Sequence, residues 1–432
     1  MSLEKPIGPE AILEKKKKYI MPCLGHFYKE PRQFVKGDMQ YLFDSEGNKY
    51  LDCFAGVSVI NCGHCNPEIT AEVVKQVQSL QHVCNIYLTE NFVNLAELLS
   101  TITPGDLQKT FFCSTGTEAN EGALLLASIY TGKDEFIALR NGLHGRTKLT
   151  MSLTGIQMWR TDEHPCGGIH FAPNAYCYRC PLGKKYPECD LSCANAVEDL
   201  IKTSTSGRPA ALIAEAIQGN AGIITPPPGY FKRVKEILEH YNSLLIIDEV
   251  QTGFGRTGKM FAIENYDVVP DIMTMAKALG NGAPISAFTA SAKIADSYTR
   301  PGASTLGGNP VSSAAGIGVI NYIKSHNLMQ NAQERGQQLY DGLTELQKKY
   351  PIIGDIRGYG LMRGAEFVHP DKSPAADKLD MVLEEMKNRG FIIGKNGVAR
   401  NVMAFQPPLV ITKDDINNVL NALDDVMSSV VK

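Results

Sequence analysis

From about residue 67 to residue 310, short apolar runs alternate with amphipathic helical stretches, and that alternation restricts the fold more than any other feature of the chain. The runs Thr110 to Cys113, Glu135 to Leu139, Ala211 to Ile217, Leu244 to Ile247, Asp271 to Met275 and Ile285 to Ala290 are each bounded by Gly, Asn or charged residues. Runs of that length and composition suit parallel strands covered on both faces. Between them, Phe231, Val234, Ile237, Leu238 and Tyr241 fall on one side of a helix, as a surface helix with one buried face requires. The expectation is an α/β fold: an open, mostly parallel central sheet with helices on both faces.

The flanks differ. Tyr41, Phe43 and Tyr50 alternate around the turn Asp44-Ser45-Glu46-Gly47-Asn48, so residues 34–62 read as short strands and turns. Beyond residue 311, two helical stretches, a strand at Leu361 to Phe367 and a final helix from Asp415 suggest a smaller α/β cap. Three units follow: an N-terminal segment 1–66 contributing to a small domain, a large domain 67–310, and a C-terminal small domain 311–432.

A chain of 432 residues, 44% hydrophobic and 21% charged, buries a large core and reads as an ordinary soluble protein. Its formal net charge of -3 gives no global electrostatic reason to bind nucleic acid or an anionic membrane. The expected partners are small molecules or copies of the same chain. No apolar run approaches the roughly 20 residues that span a bilayer, and residues 1–10 lack the apolar core of a secretory signal. The default expectation is a cytoplasmic location. The eleven cysteines are scattered, which suits a reducing compartment better than a disulfide framework. The run Lys15 to Lys18 reads as the solvated face of an N-terminal helix.

Three segments carry the chemistry. Phe111-Phe112-Cys113-Ser114-Thr115-Gly116-Thr117-Glu118-Ala119-Asn120 leads from a strand through small residues into a helix Glu121 to Tyr130. Free N–H groups at such a helix start suit a phosphate, although Ser and Thr there also serve simply as caps. Leu244-Leu245-Ile246-Ile247-Asp248 places a carboxylate at the carboxyl end of an apolar strand, where open α/β sheets seat ligands. An acid in that position holds a protonated heterocyclic nitrogen, or else caps a helix. Met273-Thr274-Met275-Ala276-Lys277 puts a lysine directly after a strand among apolar neighbours. Desolvation lowers an amine's pKa, as a Schiff-base nucleophile requires; a lysine whose head reaches out to solvent is the plainer alternative.

Two patterns compete for attention. Gly253-Phe254-Gly255-Arg256-Thr257-Gly258 matches the dinucleotide spacing G-x-G-x-x-G, and Gly253 to Lys259 matches most of a nucleotide phosphate loop. Met260 stands where Ser or Thr must hold magnesium, and the polar stretch Asp248-Glu249-Val250-Gln251 separates the glycines from their strand; both readings are rejected. Cys177, Cys180, Cys189 and Cys193 lie close enough in sequence to bind zinc or an iron-sulfur cluster. Their spacing departs from the commoner paired C-x2-C arrangement, and the expected site contains no metal.

Together these residues resemble the class III (ω-amino acid) aminotransferases of the fold type I pyridoxal phosphate enzymes. The likeness runs from Tyr41-Leu42-Phe43-Asp44 and Gly63-His64 to Ile353-Gly354-Asp355-Ile356-Arg357-Gly358. Its most specific part is Asp248-Glu249-Val250-Gln251-Thr252-Gly253-Phe254-Gly255-Arg256-Thr257-Gly258 followed by Lys277, 29 positions after Asp248 (277 minus 248). The resemblance implies pyridoxal 5'-phosphate as cofactor, held as a Schiff base by Lys277, with Asp248 on the pyridine nitrogen. It implies backbone amides of Gly116 and Thr117 on the phosphate, Val250, Leu143 and His144 against the ring, and Gln251 at the phenolic oxygen. Thr305 would reach the phosphate in a neighbouring subunit, so a homodimer, or a dimer of such dimers, with the site at the subunit interface is implied. The reaction implied is ping-pong transfer of an amino group. The donor would be an ω-amino acid or related amine of the 4-aminobutyrate, β-alanine or alanine type. The acceptor would be a small keto acid such as pyruvate, glyoxylate or 2-oxoglutarate.

The chain departs from that family at two places. Leu143 replaces the aromatic residue usually found before His144-Gly145, losing a stacking contribution of about 0.5 to 1.5 kcal/mol. Ala404, in Asn401-Val402-Met403-Ala404-Phe405-Gln406-Pro407-Pro408, stands where an arginine usually grips the substrate carboxylate. Glu215, that arginine's usual partner, is kept, and Arg400 is a candidate substitute alongside its reading as a surface residue. Carboxylate recognition is therefore expected to differ, and a phospho-lyase, epimerase or aminomutase of the same fold is the alternative activity.

Overall fold

The structure, a computed structural model, describes residues 6–430. Its strands are β1 (Phe34–Asp38), β2 (Tyr41–Asp44), β3 (Lys49–Asp52), β4 (Leu107–Cys113), β5 (Phe136–Leu139), β6 (Ile169–Ala172), β7 (Ala211–Glu215) and β8 (Leu244–Asp248). They continue with β9 (Ile272–Met275), β10 (Ser286–Ser291), β11 (Ile353–Tyr359), β12 (Met362–Phe367), β13 (Phe391–Ile392), β14 (Gly394–Asn396) and β15 (Val402–Phe405). The central sheet has seven strands in the order β4-β10-β9-β8-β7-β5-β6. Every residue of β7, β8 and β9 is buried, which is why these segments read as unbroken apolar runs rather than alternating ones.

The strands from β9 to β6 are parallel to their neighbours, but β10 runs antiparallel to both β9 and β4. The sequence pattern treated that run as one more parallel strand. The connection from Met275 to Ser286 is too short for the crossover helix that a parallel return needs, so the chain turns straight back. β6 escaped the sequence pattern altogether: it is four residues long, and His170 interrupts its apolar character.

Two four-stranded sheets flank this one, in the orders β1-β2-β3-β13 and β11-β12-β15-β14. β13, from the C-terminal part of the chain, pairs in parallel with β3 from the N-terminal part, so both ends of the sequence build one sheet. The helix Leu328–Lys349 buries Leu328, Ala332, Leu339, Leu343 and Leu346, and the final helix Lys413–Val430 buries Ile416, Val419, Leu423, Val426 and Met427. Both present the i, i+3, i+4 stripe of a helix with one buried face.

The helix after β4 begins at Gly116, five residues (121 minus 116) before the start expected from sequence, and ends at Thr131. Thr115 and Glu118 form a capping box: Thr115 Oγ1 accepts from Glu118 N at 3.3 Å, and Glu118 Oε2 accepts from Thr115 N at 3.0 Å. Reciprocal capping fixes the first turn, and Gly132, at φ 67°, closes the other end in the left-handed conformation a glycine tolerates best.

The rejected glycine run has a structural task. Gly255 and Gly258 adopt φ 86° and 87°, making turns that bury Arg256 completely. Beside them, buried Glu249 accepts from Ile263 N (2.8 Å) and Ala262 N (3.0 Å) and from the Thr252 hydroxyl. Burial raises the Glu249 carboxyl from 4.5 to about 7. Because the folded carboxyl binds its proton more readily than the unfolded one, stability contributed here falls as pH rises through that window and does not recover above it. Glu249→Gln is expected to lower the thermal midpoint at every pH, since one acceptor is lost, yet to flatten its decline between about pH 4.5 and 7. Thermal unfolding of both proteins across that range checks this; parallel curves would contradict it.

Candidate active site

The carboxyl ends of β7, β8 and β9 bring three chemically active residues to one sheet edge. Glu215 and Asp248 end adjacent strands in register, Asp248 is paired with Thr274, and Lys277 follows β9 directly. These residues line a cavity of about 660 Å³, within the range of small-ligand sites. The same walls include Gly116, Thr117, Leu143, His144, Val250 and Gln251.

Asp248 is 3% exposed and firmly oriented. Its Oδ2 accepts from Asn120 Nδ2 at 2.8 Å and lies 2.9 Å from His144 Nδ1, while Oδ1 accepts from Val250 N at 3.0 Å. Asn120 is itself fixed, donating to the His144 carbonyl (2.7 Å) and accepting from the Thr274 hydroxyl (2.6 Å). A carboxylate held by three donors keeps lone pairs for one more charged donor on its cavity side.

Lys277 is half-buried, with backbone φ 47°, a strained value for a residue other than glycine. Loss of solvent lowers its pKa, and the nearby negative charges of Asp248 and Glu215 partly restore it. An amine in that balance loses a proton more readily than a surface lysine. Burial pushes the Glu215 carboxyl up to about 7, against the influence of His144 and reinforced by Asp248.

Two polar atoms in these walls are buried without a hydrogen-bond partner: Gln251 Nε2 and His144 Nε2. A Cβ at Gly219 would fall 1.5 Å from Gln251 Oε1, so the glycine makes room for that carboxamide. A Cβ at Gly116 would meet Val250 Cγ1 at 3.0 Å, so the helix start lies close against the cavity floor.

Of the residues singled out from sequence, Thr305 and Arg400 lie apart from this lining. Thr305 is exposed and borders a separate surface cavity with Ser114, Glu118 and Leu306. Arg400 lies over the Phe27 ring, 5.3 Å from its centroid. Three lining residues, Asn120, Arg146 and Asn220, went unremarked as site residues in the sequence. Asn120 had a usable signal, four positions after Gly116 and hence on the same face of the helix. Arg146 and Asn220 follow loops and carried none. Cys177, Cys180, Cys189 and Cys193 are free thiols, and among the described residues no three or more His, Cys, Asp or Glu side chains gather as a metal site would require.

This sheet edge carries an oriented acid, a desolvated lysine and a helix start, and the chain belongs to the class III aminotransferases. The family described as Aminotransferase class-III matches residues 28–427. Alanine–glyoxylate aminotransferase 2 homolog 2 of Arabidopsis thaliana is 42% identical over 98% of this chain and 88% of its own length. An acetylornithine aminotransferase of Caldanaerobacter subterraneus is 37% identical, covering 96% of this chain and 98% of its own. Among solved structures, a Bacillus anthracis aminotransferase superimposes with TM-score 0.91 at 32% identity, over 97% of this chain and 98% of that one. The protein is an aminotransferase with a mostly parallel α/β core. Among the described residues no helix is long and apolar enough to cross a membrane.

Proposed function

We propose that this chain binds pyridoxal 5'-phosphate with Lys277 as the Schiff-base nucleophile and Asp248 as the partner of the ring nitrogen, and that it passes an amino group from a small amine to a keto acid. The observation that carries this reading is the three-donor clamp on Asp248 facing the desolvated Lys277 across one cavity. The remaining walls suit the same cofactor. The first-turn amides of Gly116 and Thr117 supply donors for its phosphate, and the unpartnered Gln251 Nε2 supplies one for its phenolic oxygen. Val250 and Leu143 offer apolar faces to the ring.

When bound, the cofactor supplies an electron sink for the pair left behind when a carbon next to nitrogen loses its proton. The rest falls to the chain. Asp248 keeps the ring nitrogen protonated, and its own orientation is kept by Asn120, His144 and the Val250 amide. Lys277 Nζ, freed when the substrate amine displaces it, would take the proton from the amine-bearing carbon and return it to the cofactor carbon that had held the lysine, a transfer worth typically 10² to 10⁴ in rate. Two substrates visit the cavity in turn, so both the donor and the acceptor need a handle there.

For the acceptor, we assign the handle to Arg146. It lines the cavity and is solvent-exposed, whereas the position expected to carry an arginine, Ala404, is fully buried among Phe54, Ile217, Ile223 and Met362. Arg146→Ala is expected to raise KM for pyruvate or glyoxylate about tenfold or more while the amine half-reaction changes little. Steady-state kinetics with each substrate varied separately checks this.

The working unit is proposed to be a homodimer. Ile86 (72%), Leu88 (100%) and Leu306 (57%) are strongly exposed, and such apolar surface commonly marks an interface; Thr305, exposed next to Leu306 in sequence, would reach the phosphate of a second copy. The free cysteines among the described residues suit a reducing compartment, and the cytoplasm is the location proposed. Incubation with an amine and pyruvate tests the reaction: new alanine supports transamination, whereas ammonia or inversion without an acceptor would point to lyase or epimerase chemistry.

A further inference from the structure

Glu215 is a cavity carboxylate without a directly bonded cation: Lys277 and His144 act on it only through their field, and among the described residues no side chain donates to it. It is 5% exposed, yet it lines the site. Each oxygen accepts a single backbone N–H, Oε1 from Leu143 and Oε2 from Gly219, both at 2.9 Å. A carboxylate offers about four acceptor positions, so two remain open. No Lys or Arg among the described residues forms an ion pair with it.

The neighbouring strands do not provide a cation in direct contact with it. Ala404 lies in the middle of β15, opposite Gly364 and Gly394, and its neighbours Phe54, Ile217, Ile223 and Met362 are all apolar. Phe54 lies so close to Gly394 that a Cβ there would meet its ring at 2.2 Å. Arg400 is occupied over Phe27. Asp248, the other acid, is already clamped by Asn120, His144 and Val250. A buried carboxylate left in this state is costly, and the rise of its pKa to about 7 under burial and the charge of Asp248 expresses that cost.

We propose that Glu215 receives a second ammonium group of the amine donor, so that this site prefers diamines over monoamines and over ω-amino acids. The proposal rests on the transaminase reading above and refines it. An incoming ammonium supplies the missing donor and charge, while a carboxylate at the same end of the donor meets repulsion and is disfavoured. The acceptor, which is an anion, uses Arg146 in the same cavity. Handles of opposite sign let one site take a cationic donor and then an anionic acceptor, as alternating half-reactions require.

The test compares kcat/KM for a diamine, a monoamine and an ω-amino acid of equal chain length, with the holoenzyme and pyruvate as acceptor. The diamine is expected to lead by about 10- to 100-fold, the span of a charge-assisted hydrogen bond. Glu215→Gln should collapse that ratio. Ala404→Arg, which introduces a guanidinium at the position where the family resemblance puts Glu215's usual partner, should collapse it independently should the Gln protein fail to fold. Equal or better use of the monoamine or the ω-amino acid by the unaltered enzyme, or a ratio that survives both substitutions, overturns the diamine preference and leaves the transaminase standing. Failure of every donor to pass nitrogen to pyruvate overturns both.

Discussion

Replacing Lys277 by Ala is expected to reduce amino transfer by about 10³-fold or more while leaving the fold intact. The amine at this position combines two tasks, attack on the cofactor and movement of the proton at the amine-bearing carbon, and general acid–base work alone accounts for up to about 10⁴. The effect of Lys277 on stability is opposite in sign. Desolvation lowers the Lys277 pKa below 10.5, so the unfolded chain binds this proton more tightly than the folded one, and stability contributed by the group rises with pH through the gap between the two values. In the cofactor-free protein, Lys277→Ala is therefore expected to match or exceed the parent's thermal midpoint near neutral pH, with the advantage shrinking in alkali. Rates and thermal melts on the same preparations check both halves. A variant that loses activity only because it melts tens of degrees earlier would contradict the assignment.

The second large effect is on the fold. Arg256 is fully buried, and its guanidinium ties together three remote segments: Nη1 donates to the carbonyls of Leu361 (3.0 Å) and Pro407 (2.5 Å), and Nη2 donates to Asn61 Oδ1 (2.5 Å). No carboxylate balances it directly, and burial lowers its pKa to about 9. Arg256→Met fills similar space but leaves three acceptors without donors, at about 1 to 3 kcal/mol each; relief from burying a charge offsets part of this. The expected net loss is about 3 kcal/mol, seen as a lower urea midpoint at an unchanged slope. An unaltered or higher midpoint would mean that the desolvation of Arg256 outweighs its three bonds.

Much of this was legible in the sequence because the apolar strands of the central sheet carry their own signal. Leu244 to Ile247 is buried on both faces and reads so, and Asp248 and Lys277 gain their meaning from standing where such strands end. The antiparallel β10 was not legible, since a side-chain pattern does not encode strand direction and only the short link from Met275 settles it. β6 was too short and too polar. Nothing in the glycine-rich turn marks Glu249 and Arg256 as buried, and only tertiary contacts show that they hold it. Arg146 and Asn220 were missed because polar loop residues around a cavity resemble those on any surface, and of the two readings left open for Arg400 its place over Phe27 suits the one away from the substrate.

The most direct test of the central claim is borohydride reduction of the cofactor-loaded enzyme followed by peptide mapping. The account predicts a single pyridoxyl adduct on the peptide containing Lys277, absent from Lys277→Ala. An adduct on another lysine, or none in an enzyme that still transfers amino groups, would contradict it.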